Sequence, residues 1–190
     1  MPTADTQIDQ LRILMNSTTP PPQRAAERAS GTPGPDAGFA ELYERHYEAV
    51  FRAALRVTGN PADAEDVLQT VFLRVLARGG DVESVALPAA YFRRAAVNAA
   101  VDVLRRRELH AESGYDDGAP HAAVQPPGLL KERLRRAIAA LDSEDASLFL
   151  LCHVEGLSNS ELAEMFQIEK NNVAVRLHRI RHRLQVQLER

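Results

Sequence analysis

A segment near the end of the chain carries amide and guanidinium side chains in a pattern that suits contact with DNA. Between Asn171 and Leu188 the sequence has four arginines and no acidic residue. Apolar residues recur there at steps of three and four, as on one face of a helix: Val173, Leu177, Ile180, Leu184 and Leu188. The outward side carries Asn171, Asn172, Arg176, Arg179 and Arg183. Asparagine can pair with an adenine edge and arginine with guanine or phosphate, so the segment predicts DNA recognition.

A second, shorter helix is predicted immediately before this segment. Ser158 followed three residues later by Glu161 is a capping box, which marks the start of a helix. Gln167, Ile168 and Glu169 then turn the chain. Two short helices at this spacing, the second one basic, fit a helix-turn-helix whose second helix lies in a major groove. The alternative is a plain helical hairpin whose arginines are only solvated.

Other reactive side chains form no catalytic or metal-binding pattern. His178 and His182 are four residues apart, which suits two metal ligands on one helix face, but no third ligand stands at a matching spacing. Cys152 falls in the apolar run that begins at Leu148, where we expect a small buried side chain rather than a nucleophile. We therefore predict no catalytic residue, no metal, no cofactor and no enzymatic activity.

The N-terminal half carries the periodicity of further helices. Apolar residues from Phe39 to Leu55 recur at helical spacing, and Gly59 ends that helix. Asn60 and Pro61 begin the second helix as its N-cap and first residue. Its predicted buried stripe contains Ala64, Val67, Leu68, Val71, Phe72, Val75 and Leu76.

Three more helices complete the predicted set ahead of the helix-turn-helix. One runs from Pro88 to the arginine cluster at 105–107, and another ends near Leu141. The apolar positions of the helix that ends near Leu141 are Leu130, Leu134, Ile138 and Leu141. The last begins near Ser143 and ends at Gly156. No stretch alternates between polar and apolar residues as a strand would, so the predicted fold class is all-α.

Composition divides the chain into four segments. Residues 1–38 form an N-terminal extension that we expect to be mostly disordered, because its proline- and glycine-rich part has almost no large apolar side chains. Residues 39–110 form a first helical domain. Residues 111–128, rich in glycine and proline, are predicted to be a flexible linker. Residues 129–190 form a second helical domain, which contains the helix-turn-helix.

The net charge of −3 over 190 residues at first argues against a nucleic-acid partner. Three acidic residues and no basic residue lie in 112–128, however, so the two helical domains are nearly balanced and their arginines are clustered. A single cysteine excludes a disulfide framework. No apolar run approaches the roughly 20 residues of a membrane-spanning helix. We therefore expect a cytoplasmic protein that does not insert into a membrane.

Three stretches, taken in order, resemble bacterial sigma factors of the extracytoplasmic-function (ECF) class in the sigma-70 family. DAEDVLQTVF, from Asp63 to Phe72, resembles the second conserved region of that class. YFRRAAVNAAVDVLRRRE, from Tyr91 to Glu108, is similar to its promoter-melting helix. Leu148 to Leu184 is similar to its fourth region, which reads the upstream promoter element. The resemblance implies a dissociable specificity subunit of RNA polymerase without an intervening third region.

The resemblance also implies partners and site residues. The first domain would dock on the clamp helices of the polymerase core and melt the −10 element; the second would bind the −35 element and the polymerase flap. An anti-sigma factor is a further partner that the resemblance leaves open. The core-binding match is Asp63, Glu65, Asp66 and Gln69. The −10 match is Asn98, Asp102, Arg105 and Arg106. The −35 match is Asn171, Asn172, Arg176, Arg179 and Arg183.

Two groups of these residues have a purely structural interpretation as well. Asp63 and its acidic neighbours suit the positive end of a helix dipole. Asp102 lies one turn from Asn98 and from Arg106, where it can orient either neighbour.

Departures from the family pattern leave two alternatives open. Ala174 and Val175 stand where the family usually has lysine and serine. One alternative is a helix-turn-helix regulator that dimerises on a palindrome, against which the melting-helix residues argue. The other is a sigma-like interaction protein that does not initiate transcription, because a fold alone does not fix a function.

Overall fold

The structure, a computed structural model, describes residues 37–77, 89–112 and 126–189, and in these ranges the chain forms seven α-helices. The helices are α1 (Ala37–Thr58), α2 (Pro61–Ala77), α3 (Ala89–Glu112), α4 (Pro126–Ala139), α5 (Ser143–His153), α6 (Asn159–Phe166) and α7 (Lys170–Glu189). These three ranges contain no β-strand, which confirms the all-α prediction. The extension predicted to be disordered, 1–38, lies outside the described residues up to residue 36, and its last two residues, Ala37 and Gly38, belong to α1.

Helices α1 to α3 form an N-terminal unit around a core of aromatic and aliphatic side chains. Gly59 ends α1 with a left-handed backbone (φ 69°), a conformation that favours glycine. The Asn60 side-chain oxygen accepts from the Ala62 amide at 2.9 Å, which confirms the predicted cap. Phe72 of α2 and Phe92 of α3 meet with ring centroids 5.7 Å apart. This contact packs α3 on α2.

Some helix boundaries and faces differ from the sequence predictions. Helix α3 continues past the arginine cluster to Glu112, and α4 already begins at Pro126, so both helices extend into the segment 111–128. Leu76, predicted to be buried, is exposed by 42%, and Leu130, one of the predicted apolar positions of α4, is exposed by 40%. Each lies at the edge of an apolar stripe, and none of the helices that the structure describes covers it.

Helices α4 to α7 form a C-terminal unit with well-defined helix starts. The Asp142 side chain accepts from the Asp145 amide at 2.9 Å and caps α5. Burial of Asp142 disfavours its carboxylate, but the hydrogen bonds from Asp145 and the charges of Arg183 and Arg176 together outweigh burial and hold its pKa below the ordinary value. Ser158 and Glu161 form the predicted capping box of α6. Gln167 has a left-handed backbone (φ 55°) and ends that helix, as predicted for the turn.

The two units pack directly on each other. Helix α3 contacts both α4 and α5, and the buried side chains of the two units form one continuous apolar cluster. The predicted inward residues of α7 are buried, with Leu188 packed against the cluster from its edge. Within the described ranges, no helix is both long and apolar enough to cross a membrane.

Candidate nucleic-acid and polymerase interfaces

The helix-turn-helix presents the start of α7 to solvent. The Ser158 hydroxyl and the Glu161 carboxylate cap the start of helix α6. The carboxylate accepts from the Ser158 amide at 2.8 Å. These hydrogen bonds, first of all the one from the Ser158 hydroxyl, lower the pKa of Glu161. Asn171, Asn172 and Arg179 are exposed on the outward side of α7, as the sequence predicts. This surface can reach base edges and phosphates in a major groove.

Two predicted −35 residues are instead engaged by acidic side chains of α5. Arg176 donates to Asp145 at 2.8 Å and to Glu144 at 3.2 Å. Arg183 also donates to Asp145. The Asp145 side chain is only 8% exposed, so it depends on these arginines to offset its desolvation. Arg176 therefore joins α7 to α5 and does not stand free on the outward side.

His178 and His182 lie on the exposed side of α7, beside a shallow depression that Arg179 and Arg183 also line. In the part of the chain that the structure describes, no three His, Cys, Asp or Glu side chains group as metal ligands. The exposed guanidinium of Arg179 beside the histidines disfavours a cation and suits an anion such as a phosphate. Cys152, predicted to be buried, is half-buried.

The four residues predicted for the −10 element lie on two sides of α3. The Ser147 hydroxyl of α5 donates to the Asn98 side-chain oxygen. Arg105 donates to the carbonyl oxygens of Ala139 and Leu141 at 3.2 and 2.6 Å. These two side chains therefore face the C-terminal unit.

Asp102 and Arg106 lie on the exposed side of the same helix. Arg106 donates to the backbone carbonyl of Asp102 at 3.4 Å and not to its carboxylate. The predicted orienting contact between these two side chains is thus replaced by a weak bond to the backbone.

The predicted core-binding residues on α2 also divide into two groups. Asp63 forms an ion pair with Arg107 of α3, and its side chain is mostly buried. Burial raises the pKa of Asp63, while the charge of Arg107 opposes that rise. Glu65, Asp66 and Gln69 are exposed to solvent. Asp63 therefore serves the packing of α2 on α3, and the other three can meet a partner.

Sequence reasoning missed an apolar part of the same α2 surface. Leu73 and Leu76 are exposed by 62% and 42%. They follow Glu65 and Gln69 at steps of four, four and three residues, so all four side chains share one face of the helix. Leu73 lies on the side of α2 opposite the buried stripe. Its place in the helical pattern therefore indicated that it would be exposed. Exposed leucines beside polar residues are typical of a protein-binding surface.

Comparison with known proteins agrees with this geometry. Residues 42–109 match the sigma-70 region 2 family and residues 131–184 match the sigma-70 region 4 family. The chain is 31% identical over 157 residues to the RNA polymerase sigma-E factor of Streptomyces coelicolor, covering 79% of this chain and 85% of that protein. It is 31% identical over 150 residues to the sigma factor CarQ of Myxococcus xanthus, covering 77% and 86%.

A longer relative is the ECF sigma factor SigE of Mycolicibacterium smegmatis. The identity is 28% over 164 residues, which cover 82% of this chain and 63% of that protein. Both sigma regions occur in this chain in their family order, on the helices that carry the predicted DNA and polymerase contacts. The chain therefore belongs to the ECF class of the sigma-70 family, the initiation factors that direct RNA polymerase to promoters.

Proposed function

We propose that this sigma factor recognises a two-part promoter, with its C-terminal unit on the −35 element and its N-terminal unit on the −10 element and the polymerase core. The observation that carries the proposal is the exposed start of α7, where Asn171, Asn172 and Arg179 project from a helix-turn-helix that is already packed. The amides are suited to adenine edges and the guanidinium to guanine or phosphate. The His178–Arg183 depression adds a place for a backbone phosphate.

The exposed face of α2 is the proposed docking surface for the polymerase core. It combines the polar side chains Glu65, Asp66 and Gln69 with Leu73 and Leu76. Such a surface has charges for orientation and apolar area for affinity. Asp63 supports this surface indirectly, because its ion pair with Arg107 holds α2 on α3.

Helix α3 is the proposed reader of the −10 element. An amide such as Asn98 can read the edge of an unstacked base, while Arg105 and Arg106 can bind the phosphates on either side. The exposed carboxylate of Asp102 is adjacent to them and can orient a neighbouring donor once DNA is bound. We further propose that the chain performs no covalent chemistry itself and works in the cytoplasm, where the polymerase core carries out RNA synthesis.

In vitro transcription with purified polymerase core and a library of promoters tests the proposal. The expected result is a stable complex with the core and transcripts from a subset of the promoters. The triple variant Asn171→Ala, Asn172→Ala and Arg179→Ala should still bind the core and lose those transcripts. A stable core complex without any transcript would favour the non-initiating interaction protein, and absence of a core complex would refute the assignment.

A further inference from the structure

Two histidines of α7 lie in the shallow depression that has room for a phosphate. His178 and His182 are exposed, and Arg179 and Arg183 complete the lining. Because residues three and four apart are neighbours on a helix surface, these positions form two adjacent rows along α7. Each imidazole thus has a guanidinium beside it, and an anion in the depression can contact both kinds of side chain.

The two arginines of the depression differ in how much positive charge they leave for a ligand. Arg183 donates to the Asp145 carboxylate of α5, whose side chain is only 8% exposed, so this carboxylate offsets its charge. Arg179 is exposed and forms no hydrogen bond or ion pair in the part of the chain that the structure describes. Above neutral pH the depression therefore has one uncompensated cation, and any further positive charge must come from the imidazoles.

Charged groups on the three helices packed against α7 leave both imidazoles unengaged. The charged side chains that bond to α7 are Glu144 and Asp145 of α5 and Arg133 of α4, and the carboxylates of α6 are Glu161 and Glu164. Within the described residues, none of these groups forms an ion pair or a hydrogen bond with His178 or His182. Both imidazoles can therefore take a ligand from outside the chain.

The histidines lie on the same side of α7 as an amide at its start. Asn171, Val175, His178 and His182 follow one another at steps of four, three and four, so they share one face. At a rise of about 1.5 Å per residue, the two histidines lie about 10 and about 16 Å further along the helix than Asn171. A major groove is about 12 Å wide, so a helix whose first turn reaches base edges brings its later turns to the phosphates at the rim.

We propose that His178 and His182, in their protonated form, bind a backbone phosphate beside the −35 bases, and that DNA binding by this protein is therefore coupled to proton uptake. The inference rests on the proposed function, since it concerns the same helix. A protonated imidazole donates from both ring nitrogens, and its hydrogen bonds to phosphate are charge-assisted. By linkage, a proton that strengthens phosphate binding is itself bound more tightly when DNA is present. The affinity for DNA thus rises as the pH falls through the range in which imidazole gains a proton.

Fluorescence anisotropy of the full chain with a −35 duplex selected from a random pool, at constant ionic strength, tests the coupling. Between about pH 7.5 and about pH 6 the affinity of the wild-type chain should rise about tenfold. His178→Gln and His182→Gln should each reduce this rise to about threefold, and the double variant should abolish it, because glutamine is polar but gains no charge. His110→Gln is the matched control, because His110 is an exposed histidine of α3 and its loss should leave the rise unchanged.

Two further measurements separate a phosphate contact from an indirect effect of the substitutions. The first is the slope of the logarithm of the binding constant against the logarithm of the salt concentration. At about pH 6 this slope should be steeper for the wild-type chain than for the double variant by about one, and at about pH 8 the two slopes should agree. The second is binding of a duplex of unrelated sequence, which should show the same pH dependence because every sequence carries the same phosphates.

The contrary results are equally definite. A pH dependence that the double variant retains would overturn the inference. An affinity that rises with rising pH would overturn it as well and would indicate a metal ion, because imidazole ligands of a metal must be neutral. Full displacement of the DNA by inorganic phosphate at constant ionic strength would assign the depression to a free anion instead.

A failure of the proposed function looks different. The double variant Asn171→Ala and Asn172→Ala would then prefer the selected duplex over the unrelated one as strongly as the wild-type chain does, at every pH. The histidine variants would leave that preference unchanged in either case, because a phosphate contact contains no sequence information.

Discussion

Arg176 and Arg179 stand three residues apart on α7 but have different surroundings. Arg179 is exposed, and in the part of the chain that the structure describes it has no hydrogen bond or ion pair. We expect Arg179→Ala to weaken binding of a −35 duplex by about 1–3 kcal/mol, because it removes a base or phosphate contact. The free energy of unfolding should not change. Fluorescence anisotropy with a duplex selected from a random pool, together with denaturant unfolding, measures both quantities.

Arg176→Ala is the contrasting variant. It leaves the buried Asp145 carboxylate with Arg183 as its remaining arginine partner, so it should lower the free energy of unfolding by about 1–3 kcal/mol. If Arg176→Ala left the stability unchanged and weakened DNA binding as much as Arg179→Ala does, its ion pair with Asp145 would be of no structural importance. Arg176 would then be a DNA contact of the same kind as Arg179.

The sequence predicted which side chains of α7 lie outside its apolar face, but it did not predict which residues they contact. The outward direction of Asn171, Asn172 and Arg179 follows from helical periodicity alone. The partner of Arg176 lies 31 residues earlier in the chain. No local pattern encodes a contact at that separation, because it depends on how α5 and α7 cross. The same reason explains why Asp63 was not predicted to face Arg107.

At the scale of elements, the start of α6 could be predicted because a capping box is local in sequence. We expect Ser158→Ala to lower the free energy of unfolding by about 1 kcal/mol, since the Glu161 amide at the start of an eight-residue helix loses its acceptor. Denaturant unfolding at neutral pH measures this loss. Ser160→Ala is the matched control, because Ser160 is exposed inside the same helix and caps nothing, so its change should leave the stability equal or slightly higher.

The same cap has a signature at low pH. The pKa of Glu161 is lower in the folded chain than its ordinary value of 4.5, chiefly because the Ser158 side chain bonds to the carboxylate. Its contribution to stability is therefore present above pH 4.5 and is lost as the pH falls below that value. Ser158→Ala should make the stability fall less steeply in this acid range. A variant with the same acid dependence as the wild-type chain would contradict the cap as the cause.

The helices themselves were easier to predict than their ends and their exposed edges. The composition of 111–128 indicates a linker, yet α3 reaches Glu112 and α4 starts at Pro126. Proline is compatible with the first residue of a helix, so its presence did not exclude a helix start there. Leu76 was assigned to the buried stripe of α2 because leucine is apolar and adjoins that stripe. A side chain is buried only where another helix packs over it, and the apolar periodicity of one helix does not show where its neighbours lie.

At the scale of the whole molecule, the arrangement of the two units is the feature that the sequence left open. The glycine- and proline-rich composition of 111–128 specifies no relative position of the two units, and the contacts that select one are long-range. Arg105 meets carbonyl oxygens 34 and 36 residues away, and Arg56 meets a carboxylate 99 residues away. The apolar cluster that runs through both units indicates that these polar contacts add to a substantial packed interface.

One continuous cluster predicts that the free chain unfolds as a single cooperative unit. The distribution of tyrosine provides the measurement, because Tyr43, Tyr47 and Tyr91 are in the N-terminal unit and residues 126–190 contain neither tyrosine nor tryptophan. The fourth tyrosine, Tyr115, lies outside the described residues. Tyrosine fluorescence therefore does not report on the C-terminal unit's own side chains, whereas far-ultraviolet circular dichroism follows the helices of both units.

We expect the two thermal transitions to coincide in the wild-type chain, because neither unit can unfold without exposing the surface that it buries on the other. Arg56 of α1 pairs with the buried Glu155 of the C-terminal unit at 3.0 Å. In Arg56→Glu the two transitions should separate, because two like charges then meet between the units, and in the double swap with Glu155→Arg they should coincide again. Arg52→Glu should leave them together, because Arg52 pairs with Glu48 on the surface of α1. Separate transitions in the wild-type chain would mean that the units fold independently. The contacts of α3 with the C-terminal unit would then be too weak to couple the unfolding of the two units.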